Sequence, residues 1–239
     1  MTFAPLGDSA VVVTLGTGID EATLLRARSL SAALERERGA GVVDVVPAYT
    51  TVTVFYENAP HPPDDVPPYE RICQLISARL RKTDHSWPDV VRDNLGGRRD
   101  EAARVEIPVC YGGEMGPDLE EVAGRADLKT AEVIELHSAA GYVVHAIGFT
   151  PGFPYLGGLP ERLRTPRRAT PRTSVPAGSV GIGGEQTGVY PIATPGGWQL
   201  IGRTPLALFQ VTENPPARLR VGDHVKFKPI TAREFAAWK

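Results

Sequence analysis

Residues 148–205 read GFTPGFPYLGGLPERLRTPRRATPRTSVPAGSVGIGGEQTGVYPIATPGGWQLIGRTP. About half of the chain's 25 glycines and about two-fifths of its 22 prolines fall here. Proline removes a backbone donor and glycine weakens helices, so this density excludes long helices. Short apolar pieces (SVGIGG, TGVYPI, WQLIG and the following LALFQV) alternate with turns. Many short strands joined by tight corners predict a β-barrel or sandwich. Interleaved Arg, Tyr and Trp set the stretch apart from low-complexity sequence.

Working outward, VEIPVCY from Val105 opens this half as a strand. Asp118 followed by Glu121 matches a capping box, so a short helix is expected from Leu119. Thr130 is expected to cap a second helix ending near Gly141, and Tyr142 to Phe149 to form a strand. Val221 to Pro229 reads as a closing strand and ITAREFAAWK as a short terminal helix. Upstream, residues from about Thr83 to Ala103 are polar and of mixed charge, as in a linker. Before them, Ala10 to Leu15 reads as a strand. Asp20 caps a helix running to about Arg38, with Leu24, Ala27, Leu30 and Leu34 at helical spacing. Val42 to Ala48 and Thr51 to Tyr56 are β-branched strands. Tyr69 to Lys82 is a second helix. This β-α-β-β-α order fits a split βαβ, ferredoxin-like unit. The expected class is α+β, with an α/β domain over 1–95 and a barrel domain over 96–239.

The chain has 239 residues, 42% hydrophobic and 23% charged, with formal net charge -2. That is ordinary globular composition. No global positive field exists to attract nucleic acid or an anionic membrane. No stretch has the length to cross a bilayer and no secretory leader is evident, so the expected compartment is the cytoplasm. Cys73 and Cys110 read as reduced, packing thiols. The five histidines lack metal-ligand spacing, so no metal site is expected. His145, alternating with Val143 and Ile147, reads first as a packed histidine and alternatively as a pocket residue beside GFTPGF.

No G-x-x-x-x-G-K-S/T phosphate loop and no G-x-S-x-G elbow occur. GIGGEQTG lacks the lysine and reads as a tight strand turn. Three features do point to binding. Phe149, Phe153 and Tyr155, stiffened by Pro151 and Pro154, would make a rigid apolar surface, with Trp198 farther on. Arg164, Arg167, Arg168 and Arg172 are spaced by prolines. Such guanidiniums held near one another favour carboxylate or phosphate, although a solvated basic loop has the same composition. The small residues of PAGSVGIGG admit close approach of a ligand or another backbone.

The ordered runs GFTPGFPYLGGLP, TPRRATPR, VPAGSVGIGGEQTGVYP and PGGWQLIGRTPL resemble the core signature of the 5-oxoprolinase B-subunit family, also called the KipI or allophanate hydrolase subunit 1 family. The likeness extends through GGEMGPDLEEVA, VVPAYTTVTVFY and PLGDSAVVV, nearly the whole chain. It implies a C-terminal cyclophilin-like β-barrel of carboxyltransferase type. It implies ATP use at the level of a complex with two partners, one KipA-like (allophanate hydrolase subunit 2-like) and one LamB/YcsF-like. No lysine stands in a biotin-acceptor-like context, so no biotin site is expected in this chain. Two other branches of the resemblance are an inhibitor of a histidine kinase and a carboxyltransferase half of a urea carboxylase-type enzyme. For the enzyme reading, Arg167, Arg168, Arg172 and Ser179 are expected to hold phosphate or carboxylate. Gln186, Thr187 and Tyr190 are expected to orient the substrate, and Phe149, Phe153, Tyr155 and Trp198 to face a partner.

Overall fold

A computed structural model of the chain describes residues 1–36, 39, 41–60, 65–84 and 104–238. It divides into two compact units, 1–102 and 103–239.

The first unit carries β1 (Thr2–Pro5), β2 (Ala10–Thr14), α1 (Glu21–Arg36), β3 (Val42–Ala48), β4 (Thr51–Tyr56) and α2 (Pro68–Asp84). The strands lie in the order β1-β2-β4-β3 and pair antiparallel throughout. β4 thus slots between the two strands that α1 connects. The edge beside β2 is taken by the N-terminal strand. Asp20 caps α1: the Thr23 N–H donates to Asp20 Oδ1 at 2.8 Å. The predicted stripe, Leu24, Ala27, Leu30 and Leu34, is buried, and its last three members pack with Ile72 and Ile76 of α2 and with the sheet. Each fully buried leucine or isoleucine among them contributes about 2 kcal/mol relative to exposure. The expected end of α1 at Arg38 and most of the expected linker lie outside the described residues.

The second unit is a closed barrel. Its strands are β5 (Arg104–Tyr111), β6 (Tyr142–Ile147), β7 (Pro154–Gly157), β9 (Ser179–Gly183), β10 (Gln186–Val189), β12 (Gln199–Arg203) and β13 (His224–Pro229). They run β6-β13-β5-β12-β9-β10-β7, and β7 returns to pair with β6. β13 lies parallel to β5, and the other pairings are antiparallel. β8 (Arg172–Val175) and β11 (Thr194–Gly196) form a separate two-stranded ribbon. Ile107, Val109, Val144, Leu156, Ile182 and Phe227 fill the interior. Helices α3 (Leu119–Ala126) and α4 (Thr130–Ala139) add Leu119, Val122 and Val133 to that core. A short α5 (Ala232–Ala236) is capped by Thr231.

Three local expectations change. LALFQV forms no strand and leaves only an isolated bridge, Phe209 to Ala217. Lys129, rather than Thr130, precedes α4 as its cap residue, because Glu132 reaches back to accept from the Lys129 N–H at 2.8 Å. Asp118 stands at the head of α3 but its side chain makes no cap hydrogen bond, having been taken by partners elsewhere in the barrel.

Candidate functional site

The site grows from the turn joining β6 to β7. The Phe153 N–H donates to Thr150 O, and the Gly148 N–H to Phe153 O, both at 3.1 Å. Gly152 takes φ +77°, and a Cβ there would meet the Phe209 side chain at 2.9 Å, so only glycine fits comfortably. Phe149 also takes a left-handed φ, +68°. The turn drives Phe153 into the fold, 1% exposed, and leaves Phe149 64% exposed above it.

Phe153 is the hub of an aromatic cluster. Phe149, Tyr155, Tyr190 and Trp198 all meet it edge-to-face, with centroids 4.9 to 5.7 Å away. Such offset geometry matches the positive edge of one ring to the negative face of another. Glycine makes the seat: a Cβ on Gly183 would fall 2.5 Å from the Trp198 indole, and one on Gly188 about 3.0 Å from the Phe153 ring. Burial raises the Tyr190 phenol above its ordinary value, so the hydroxyl stays neutral at physiological pH.

The proline-spaced arginines divide among three tasks. Arg164 pairs on the surface with Glu161 and Glu185. Arg168 and Arg172 both donate to Asp118 Oδ1, at 3.2 and 2.7 Å. The other oxygen, Asp118 Oδ2, accepts from the Leu200 N–H at 2.6 Å. The Arg168 N–H donates to Gly197 O at 2.7 Å, so this loop is tied to the link between β11 and β12. Arg167 has no carboxylate partner among the described residues, and its guanidinium lies 5.9 Å from the Trp198 ring centroid. Two guanidiniums share one carboxylate and a third is unneutralised, so the locality is cationic.

These parts enclose a cleft of about 300 Å³. Phe149, Phe153, Tyr155 and Trp198 supply its apolar side, and Arg167 and Arg168 its charged side. Tyr190 lines it with Gly196, where a Cβ would meet the phenol oxygen at 2.5 Å. An apolar pocket with one or two convergent cations suits a small organic anion.

The structure therefore brings together Arg167, Arg168, Tyr190, Phe149, Phe153, Tyr155 and Trp198. Phe153 and Trp198 are buried, which leaves them little surface for a partner. Arg172 lies behind the cleft on Asp118. Ser179 is buried at the start of β9, its carbonyl accepting from the Tyr190 N–H at 2.8 Å. Gln186 sits at the start of β10, opposite Gly183, and is not a cleft residue.

Thr187 is spent inside the barrel. Its hydroxyl donates to Gly181 O at 2.9 Å and accepts from His137 Nε2 at 3.0 Å. That fixes the tautomer: the proton is on Nε2, and Nδ1 accepts from the Tyr111 hydroxyl at 2.8 Å. Burial holds His137 down to about 3, so the ring stays neutral. Stacked on Phe227 at 4.5 Å, it is a fully bonded core histidine. The residue that motif reading missed is Asp118, whose partners lie 50 to 82 positions away.

Among the described residues no three or more His, Cys, Asp or Glu cluster to hold a metal ion, and no helix is long and apolar enough to cross a membrane. Cys73 and Cys110 are free thiols, and burial raises both above their ordinary value.

Residues 1–219 match the family described as carboxyltransferase domain, subdomain C and D. The chain is 48% identical over 238 residues to the 5-oxoprolinase B-subunit of Bacillus subtilis, covering 98% of this chain and 95% of that one. Its fold matches the crystal structure of TTHA0988 with a TM-score of 0.75 and 35% identity, covering 93% of this chain but 40% of that longer one. The Kluyveromyces lactis urea carboxylase shares the fold at a TM-score of 0.70 and 20% identity, over 98% of this chain and 22% of that one. By these likenesses, which run along nearly its whole length, the chain belongs to the 5-oxoprolinase B-subunit family of carboxyltransferase-domain proteins.

Proposed function

We propose that this chain is the B-subunit of a cytoplasmic, ATP-dependent 5-oxoprolinase, acting in complex with a KipA-like and a LamB/YcsF-like partner. The reaction opens the ring amide of 5-oxoproline. With ATP and two waters it gives glutamate, ADP and phosphate. A stable lactam needs activation at neutral pH, and ATP supplies it at the level of the complex. In this reading residues 1–95 form a ferredoxin-like α/β domain. Residues 96–239 form a cyclophilin-like barrel of carboxyltransferase type.

One observation carries the site assignment: Arg167, without a carboxylate partner among the described residues, stands 5.9 Å from Trp198 at the edge of a cleft of about 300 Å³. 5-Oxoproline is a small ring with two apolar methylenes, an amide and one carboxylate. The carboxylate suits Arg167, the methylenes suit Phe153 and Trp198, and the amide suits the Tyr190 hydroxyl. Arg168 adds its charge to the lining while Asp118 holds it, and Arg172 serves the site from behind, through the same Asp118.

The test is 5-oxoproline-dependent ATP hydrolysis by the purified chain mixed with its two partners. Turnover is expected from the mixture and not from this chain alone. Arg167→Ala should raise the KM for 5-oxoproline about tenfold or more with the melting temperature unchanged. Arg172→Ala should instead lower the melting temperature. Absence of turnover in the full mixture would remove the proposal.

A further inference from the structure

Phe149 combines three properties that folding alone does not account for. Its φ of +68° lies where a bulky L-residue is sterically disfavoured and glycine is at ease. The residue is 64% exposed, so burial gains little to offset that strain. Yet the ring lines the same cleft as Arg167 and Trp198, edge-on to Phe153 at 5.7 Å and 80°. Backbone strain held at a cleft marks a side chain placed for a ligand.

We infer that Phe149 is a specificity-determining residue of the cleft: its ring is the outer wall against which the apolar face of a small cyclic carboxylate packs while Arg167 holds the carboxylate. The left-handed backbone is the device that turns this ring over the mouth. A side chain in the ordinary conformation at this position would leave the turn on a different heading. The inner wall, Phe153 on glycine, is fixed, so the outer wall sets how wide a ring fits. This rests on the reading of the cleft as the 5-oxoproline site.

Three variants, Phe149→Gly, Phe149→Ala and Phe149→Tyr, distinguish the roles, each assayed in the complex with both partners. Phe149→Gly relieves the strain, so its melting temperature should equal or exceed that of the natural chain. Its KM for 5-oxoproline should rise at least about tenfold, by a larger factor than any fall in kcat. Phe149→Ala should show the same rise in KM, and Phe149→Tyr, which keeps the ring, should stay within about threefold. A residue that only supported the fold would give the reverse for glycine: a lower melting temperature, with KM following it. An unchanged KM in Phe149→Gly, or weakened assembly with the KipA-like partner at constant KM, overturns the inference and leaves the functional reading intact. A natural-sequence complex that does not turn over 5-oxoproline overturns both.

Discussion

Asp118 and Arg172 stand 54 positions apart, and Arg172 Nη2 donates to Asp118 Oδ1 at 2.7 Å. With Arg168 on the same oxygen and the Leu200 N–H on the other, this one carboxylate ties the head of α3, the proline-arginine loop and β12 together. The pair is partly shielded: the Asp118 side chain is 5% exposed and that of Arg172 23%.

Removing the carboxylate leaves two guanidiniums short of a counter-charge and a buried N–H short of an acceptor. Asp118→Ala should cost about 3 kcal/mol, the low end for a broken buried ion pair. Asp118→Asn keeps an oxygen for the Leu200 N–H and should cost about 1–2 kcal/mol. Urea unfolding followed by circular dichroism measures both. A loss below about 0.5 kcal/mol for the alanine variant, typical of surface positions, would show that the loop is held otherwise.

His137 makes stability depend on pH. Burial lowers it from 6.5 in the unfolded chain to about 3 in the fold. Below 6.5 the unfolded state binds a proton that the folded state refuses. The contribution is therefore fully present above pH 6.5 and lost as pH falls toward 3. The slope should approach about 1.4 kcal/mol per pH unit, one proton's worth. His145, also lowered by burial, adds a contribution of the same sign. His137→Phe should flatten the slope between about pH 6.5 and 4, measured as unfolding free energy at several pH values. An unaltered slope would mean that the proton uptake occurs elsewhere.

Gly183→Ala places a methyl group 2.5 Å from the Trp198 indole. Gly183 is not in the left-handed region, so the penalty is steric rather than conformational. Overpacking of this kind costs about 1–3 kcal/mol. The indole should shift, and the near-ultraviolet dichroism of the aromatic cluster should change with it. A variant with the natural melting temperature and spectrum would show that Trp198 is free to move.

Legibility followed the range of the interactions. The α1 stripe from Leu24 to Leu34 is a local, periodic signal, and every residue of it is buried. The hairpin strands Val42–Ala48 and Thr51–Tyr56 are bounded by the same kind of local chemistry. The glycine and proline density of 148–205 points to a barrel or sandwich because it forbids long helices, and a closed barrel is the form found. Within the site, the aromatic and arginine runs reveal the cleft's materials but not their arrangement. Which arginine is neutralised depends on Asp118, and Asp118 resembles a helix cap because Glu121 follows at the capping distance. Thr187 reads as a substrate contact, but the inward face of β10 carries it to His137. Strand parity decides that, and a run of small residues between two turns leaves parity undetermined.

The parallel pairing of β5 with β13 has a bearing on how this half assembles. Arg104 faces His224 and Pro108 faces Lys228, so the first strand of the barrel is flanked on one side by the last. Its other neighbour, β12, also emerges late. A nascent chain therefore carries β5 with both edges open until synthesis of the unit is almost done. High contact order of this sort gives slow closure, on the order of milliseconds to seconds, and exposes an unsatisfied edge meanwhile.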